Sequence, residues 1–156
     1  MLNNCSNNMQ DTSILYYERI YQYIKDLPEI KSSCINVSDT IVHLELTNFW
    51  EELSEGKSKS KDAIFMKLDS IDNSRMFKNY ALPQLKDFER VDSCKNVLFF
   101  SKVYKNMVLA ELIDNRGELS NNHDVLTSFN KSDLYLFKFD SEKKIEKVYS
   151  KQIEYD

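Results

Sequence analysis

With 156 residues the chain has room for one domain with a proper core and not for two ordinary ones. Its 42% apolar fraction, with nine Phe, nine Tyr and one Trp, belongs to a folded globule rather than a disordered chain. Twenty-one basic against 25 acidic residues give a formal charge of −4 and no basic footprint for nucleic acid; with only Gly56 and Gly117, no glycine-cradled phosphate loop can be written.

No apolar run approaches the ~20 residues that span a bilayer, so no membrane partner is expected. "MLNNCSNNMQDTS" has neither the basic start nor the apolar stretch of a secretory signal. Residues 1–11 read as a disordered lead before a single domain at 12–156. In "SILYYERIYQYIKDLP", Ile14, Tyr17, Ile20, Tyr21, Ile24 and Leu27 recur at three- and four-residue steps, one stripe of an amphipathic helix. Asp11, Thr12 or Ser13 can cap it. Pro28 stops it or opens a short second helix in "PEIKSSCI". "SDTIVHLELT" is β-branched and bounded by polar residues, which predicts a strand. "FWEELSEGKSK" reads as a loop, with Phe49 and Trp50 covering an opening or the core edge.

"SKDAIFMKLDSI" is a second good helix, capped by Ser60, with Asp62 in its first turn and Ile64, Leu68 and Ile71 inward. From there the chain reads as β. "QLKDFERV" predicts a strand, and "VLFFSKVYKNMVLAELI" a long strand bent near Lys105 and Asn106. "HDVLTSFNKSDLYLFKFD" reads as another long strand, with Val125, Thr127, Phe129, Tyr135, Phe137 and Phe139 on one face. "SEKK" is a turn and "IEKVYSKQIEY" the last strand. Helices first and a meander last predict an α+β fold. Cys5, Cys34 and Cys94 are odd in number and widely spaced, which predicts reduced thiols in a cytoplasmic setting.

Three stretches carry a family resemblance. "INVSDTIVHLEL", "GKSKSKDAIFMKL" and "LYLFKFDSEKKI" resemble, in order, segments of the nuclear transport factor 2-like superfamily in its SnoaL-like, polyketide cyclase-like branch. The likeness runs over residues 12 to 153, and between 69 and 90 it rests on strand placement alone. It implies N-terminal helices packed in the concavity of a strongly curved mixed, mainly antiparallel sheet, a cone-shaped α+β barrel with a pocket down its middle. The final hairpin would supply one wall of that cone and an outer face for a homodimer. The implied pocket is lined by Ile20, Tyr21, Ile24, Leu44, Phe65 and Phe137.

Enzymes of this kind place ionisable groups in an apolar cone, where desolvation makes carboxylates useful acids and bases. The tyrosine of the first helix falls on Tyr17 or Tyr21. The base position falls on Leu44, with His43 and Glu45 pointing the other way; a one-residue change of register turns His43 inward, where it would be a general base. The acid position falls near Tyr135, two residues from Asp133, so the pair of acids of a ketosteroid isomerase is absent. The groups to test are therefore Asp133, Tyr135, Tyr17 and His43.

Glu111, inside "VLAELI", is a strand glutamate in apolar company, either paired with a lysine or functional, and His123 has no visible partner. Two histidines without metal spacing predict no metal site and no cofactor. Two readings follow. One is a protein that binds a small, mostly apolar molecule and acts on it by cofactor-free acid–base chemistry, as an isomerase, cyclase, dehydratase or hydrolase. The other is a non-catalytic homodimeric interaction module of the same fold.

Overall fold

A computed structural model describes residues 13–57, 60–118 and 120–156; the expected lead, with Asp11 and Thr12, lies outside them. The apolar stripe of the first helix is realised as α1, Ser13–Lys25, which buries Tyr16, Tyr17, Ile20 and Ile24. Proline has no N–H to continue the helix. Of the two expectations for Pro28, a stop rather than a second helix is found: tight turns follow it, with Ile30 N and Lys31 N both donating to Leu27 O at 2.9 and 2.8 Å.

Six strands make one open mixed sheet: β1 (Asn36–Ile41), β2 (Tyr80–Ala81), β3 (Asn96–Phe100), β4 (Met107–Asp114), β5 (Lys131–Phe139) and β6 (Ile145–Glu154). Their order is β2-β1-β3-β4-β5-β6, with β1 parallel to β3 and every other neighbouring pair antiparallel. A parallel pair needs a long crossover. That crossover carries a 3-10 turn at Leu46–Phe49, α2 (Trp50–Ser54) and α3 (Lys61–Arg75). Ser60 caps α3 as expected, its hydroxyl accepting from Ala63 N at 3.3 Å.

Successive strand residues face opposite sides, and in β3, β4 and β5 both sides are buried. Leu98, Phe100, Val108, Ala110, Tyr135 and Phe137 face α1. Val97, Phe99, Leu109, Ile113, Leu134 and Leu136 face Ile64 and Leu68 of α3 and the Leu46–Phe49 turn. Helices thus cover both faces of the sheet. Lys147 and Lys151 of β6 reach Glu55 and Glu52 at 3.7 and 3.1 Å, tying the last strand to α2 and the turn that follows it.

Several sequence expectations need correction. "FWEELS" is helical rather than loop, because Phe49 and Trp50 turn onto the core. "QLKDFERV" is a 3-10 turn at Pro83–Asp87, where Pro83 opens a helical turn and Leu85 is its only buried residue. The long strand from Val97 to Ile113 is a hairpin, β3 and β4. Lys105 and Asn106 both take left-handed backbone (φ 43 and 60), while Tyr104 and Met107 exchange backbone bonds at 2.8 Å. The expected strand before Ser132 begins as a helix, α4 (His123–Thr127), since Asn122 caps Asp124 N and Val125 N at 2.9 and 3.3 Å. Val125 and Phe129 therefore do not share the apolar face of Tyr135; Phe129 is 81% exposed. Finally, Cys34 and Cys94 are disulfide-bonded, with Cα atoms 5.7 Å apart, rather than reduced thiols. The bridge closes the turn before β1 onto the approach to β3.

Candidate functional site

Register along β5 and β6 decides which side chains meet. Asp133 lies opposite Gln152 and Tyr135 opposite Ser150, so these four emerge side by side on the face that carries α1. Tyr23 of α1, with Leu27 and Glu29 just past its C-terminal end, forms the opposite wall. Between them is an open cleft of about 270 Å³. Loss of solvation raises the Asp133 carboxyl above its usual value, and the charge of Glu29 adds to the shift. Burial, then Asp133, Glu29 and Tyr23, pushes the Tyr135 hydroxyl up to about 12. At neutral pH the cleft therefore presents a carboxylate made more basic and a phenol that stays protonated, a proton acceptor and a hydrogen-bond donor two residues apart.

The other expected catalytic groups lie elsewhere. Tyr17 is buried, stacks on Phe100 with ring centroids 4.6 Å apart, and donates its hydroxyl to Ser101 O at 2.8 Å; it is part of the core. His43 follows β1, three strand positions from β5, or about 14 Å at ~4.8 Å per strand, too far to share a small substrate with Asp133. Its ring stands edge-on to Phe77 at 5.8 Å, and both ring nitrogens are buried with no hydrogen-bond partner among the described residues.

The expected pocket wall is likewise divided. Ile20 and Ile24 are fully buried under α1, and Phe137 packs with them and meets Tyr23 edge-on at 5.4 Å. Tyr21 is half-buried against Phe88. Leu44 is buried in the α3 layer on the opposite face, and Phe65 is 44% exposed on the outer side of α3, against Trp50. Leu44 and Phe65 therefore do not face Ile20. Tyrosine and phenylalanine rings instead fill the space between α1 and the sheet, with Tyr16 on Phe139 at 4.7 Å.

A second polar cluster sits inside the α3 layer. Glu111 is 0% exposed, yet it accepts from Ser132 Oγ and from Tyr155 OH at 2.5 Å each, and its other oxygen lies 2.6 Å from His123 Nε2. Burial works to raise its pKa; the hydrogen bond and charge of His123, with the two hydroxyl donors, outweigh this and hold the carboxyl below its ordinary value. The partner is thus not the lysine that strand pairing suggests, and His123 does have one. The signal was present in outline: Ser132 sits opposite Ile113, one diagonal step from Glu111 on the same face. His123 could not be placed without knowing that its segment folds as a helix over β4. Ser132 donates to the carboxylate and not to the imidazole, so this cluster is no nucleophilic triad. Among the described residues no group of three His, Cys, Asp or Glu side chains could hold a metal ion.

No family model, no curated protein and no solved structure matches this chain.

Proposed function

We propose that the chain is a small-molecule-binding domain of the SnoaL-like kind that moves protons without a cofactor at the Asp133–Tyr135 cleft. One observation carries the reading: two groups with raised pKa values stand side by side in a cleft open to solvent. In this reading Asp133 takes a proton from carbon next to a carbonyl, and the neutral Tyr135 hydroxyl donates to the oxygen that gains charge. Curvature of the sheet around α1, as in a cone, is part of the proposal. It is supported by irregular register between Val37 and Ile41 and between Lys138 and Phe139, since bulges bend strands.

The test is deuterium exchange into small ketones in D₂O, followed by proton NMR. Exchange above the buffer rate that is lost in Asp133→Asn and reduced in Tyr135→Phe supports the reading. Exchange equal to buffer, or unchanged in Asp133→Asn, removes it.

A second reading, a homodimeric interaction module, is favoured by one feature. β6 is ten residues long and ends the sheet, so its outer edge offers unpaired backbone groups to another strand. Light scattering tests it, and a strictly monomeric chain at micromolar concentration counts against it.

A further inference from the structure

A groove of about 650 Å³ opens on the α3 side of the sheet, between α2, α3 and the β3–β4 turn, and shares no residue with the Asp133 cleft. Its floor is apolar, built from Ile64, Leu68, Tyr104 and Met107. Its polar rim holds four lysines, Lys57, Lys67, Lys105 and Lys138, and no carboxylate. This inverts the charge of a chain that carries a formal −4. Five other lysines, Lys86, Lys131, Lys144, Lys147 and Lys151, each lie within 3.7 Å of a carboxylate oxygen. Among the described residues none of the four rim lysines makes such a pair.

The rim is also held in place. Lys105 sits on the tight β3–β4 turn, which is held through its neighbour Asn106. Asn106 accepts the Tyr16 hydroxyl at 3.1 Å, and its carbonyl accepts Phe139 N at 2.9 Å. Lys138 belongs to β5 and Lys67 to α3, so both project from regular elements. Four cations that make no ion pair among the described residues, around an apolar trough, match one ligand chemistry: an anionic head on an apolar body. The head gains from several ammonium groups at once, and the body covers floor that water otherwise wets. The volume falls within the ~300–1,000 Å³ of sites for small organic ligands.

We propose that this groove binds an amphipathic anion, a fatty-acid-like molecule whose carboxylate or phosphate lies among Lys67, Lys105 and Lys138 and whose chain lies along α3. The inference is independent of the proton-transfer reading, because no side chain is common to both sites.

The experiment is calorimetric titration of the whole chain with laurate below its micelle concentration, with dodecanol, dodecyl phosphate and inorganic phosphate as parallel probes. Laurate and dodecyl phosphate should bind, with dodecanol and inorganic phosphate each at least about tenfold weaker. Affinity should fall as sodium chloride rises, since exposed charges are screened. Lys67→Glu with Lys138→Glu should weaken laurate about a hundredfold while leaving the melting temperature and dodecanol binding unchanged. Leu68→Trp, which fills the floor, should weaken laurate and dodecanol together. Equal binding of dodecanol and laurate, or laurate binding that survives the double charge reversal, overturns the proposal. So does a groove that takes an acidic peptide but not laurate, which would make it a protein-docking surface.

Discussion

Replacing Glu111 by Gln keeps the shape of the side chain and removes its charge, which isolates what the buried carboxylate does. Its three donors come from β5, α4 and the residue that follows β6, so one charge holds three separately folded pieces against β4. A hydrogen bond to a charged acceptor is worth about 1.5–3 kcal/mol net and one between neutral groups about 0.5–1.5 kcal/mol. The loss is therefore about 1 kcal/mol per donor. Three donors give about 3 kcal/mol, a large part of the 5–15 kcal/mol typical of a domain. In a chain of this size that lowers the melting temperature by roughly 6–12 °C.

The pH dependence follows from the depressed folded-state pKa. The contribution is fully present above the unfolded value, about pH 4.3, and is lost as pH falls through the lower folded value. Urea unfolding of wild type and Glu111→Gln, monitored by circular dichroism at pH 7 and in steps below pH 4.5, measures both effects. The two curves should converge at the acid end, where wild-type Glu111 itself becomes neutral. A difference under about 0.5 kcal/mol at pH 7, or one that does not shrink in acid, refutes the account.

Asp133 should behave in the opposite sense. Its folded pKa is raised, so its charge costs stability above that value, and Asp133→Asn should raise the urea midpoint slightly at pH 7 and not at pH 3. For the disulfide, Cys34→Ser with Cys94→Ser frees a closed loop of 60 residues, and loop entropy alone gives a cost of about 4 kcal/mol at 25 °C. Thiol titration of the denatured chain without reductant should find one free cysteine, and three would remove that prediction. The buried Asp72 carboxylate accepts from Leu46 N and Thr47 N at 2.8 and 2.9 Å, which fixes the start of the 3-10 turn. Asp72→Ala should cost about 2–5 kcal/mol, because two backbone donors lose their acceptor; proteolysis between Leu46 and Ser54 should speed up before the rest of the fold is lost. Phe129 holds left-handed backbone (φ 51) while its ring stands in solvent. Phe129→Asn should therefore raise the melting temperature, by the equivalent of about 1 kcal/mol, since Asn adopts that conformation readily.

The helix periodicity at Tyr17, Ile20 and Ile24, the Ser60 cap and the closing β5–turn–β6 hairpin were legible in the sequence, because each depends on residues within a few positions of one another. The same locality exposed Asp133 and Tyr135 as a same-face pair. What the sequence left undecided depended on partners far along the chain. The apolar run "HDVLT" satisfies either a strand or a helix on its own, and the Asn122 cap and the landing of Leu126 in the α3 layer select the helix. Lys105 and Asn106 could bend a strand or reverse it, and the pairing of β3 with β4 makes them a reversal. Cys34 meets Cys94 across 60 residues only because β1 lies parallel to β3. Leu44 and Ile20 are both apolar, and nothing local says that a sheet will stand between them. That separation splits the expected pocket, and it arises because both faces of every central strand are greasy enough to be covered.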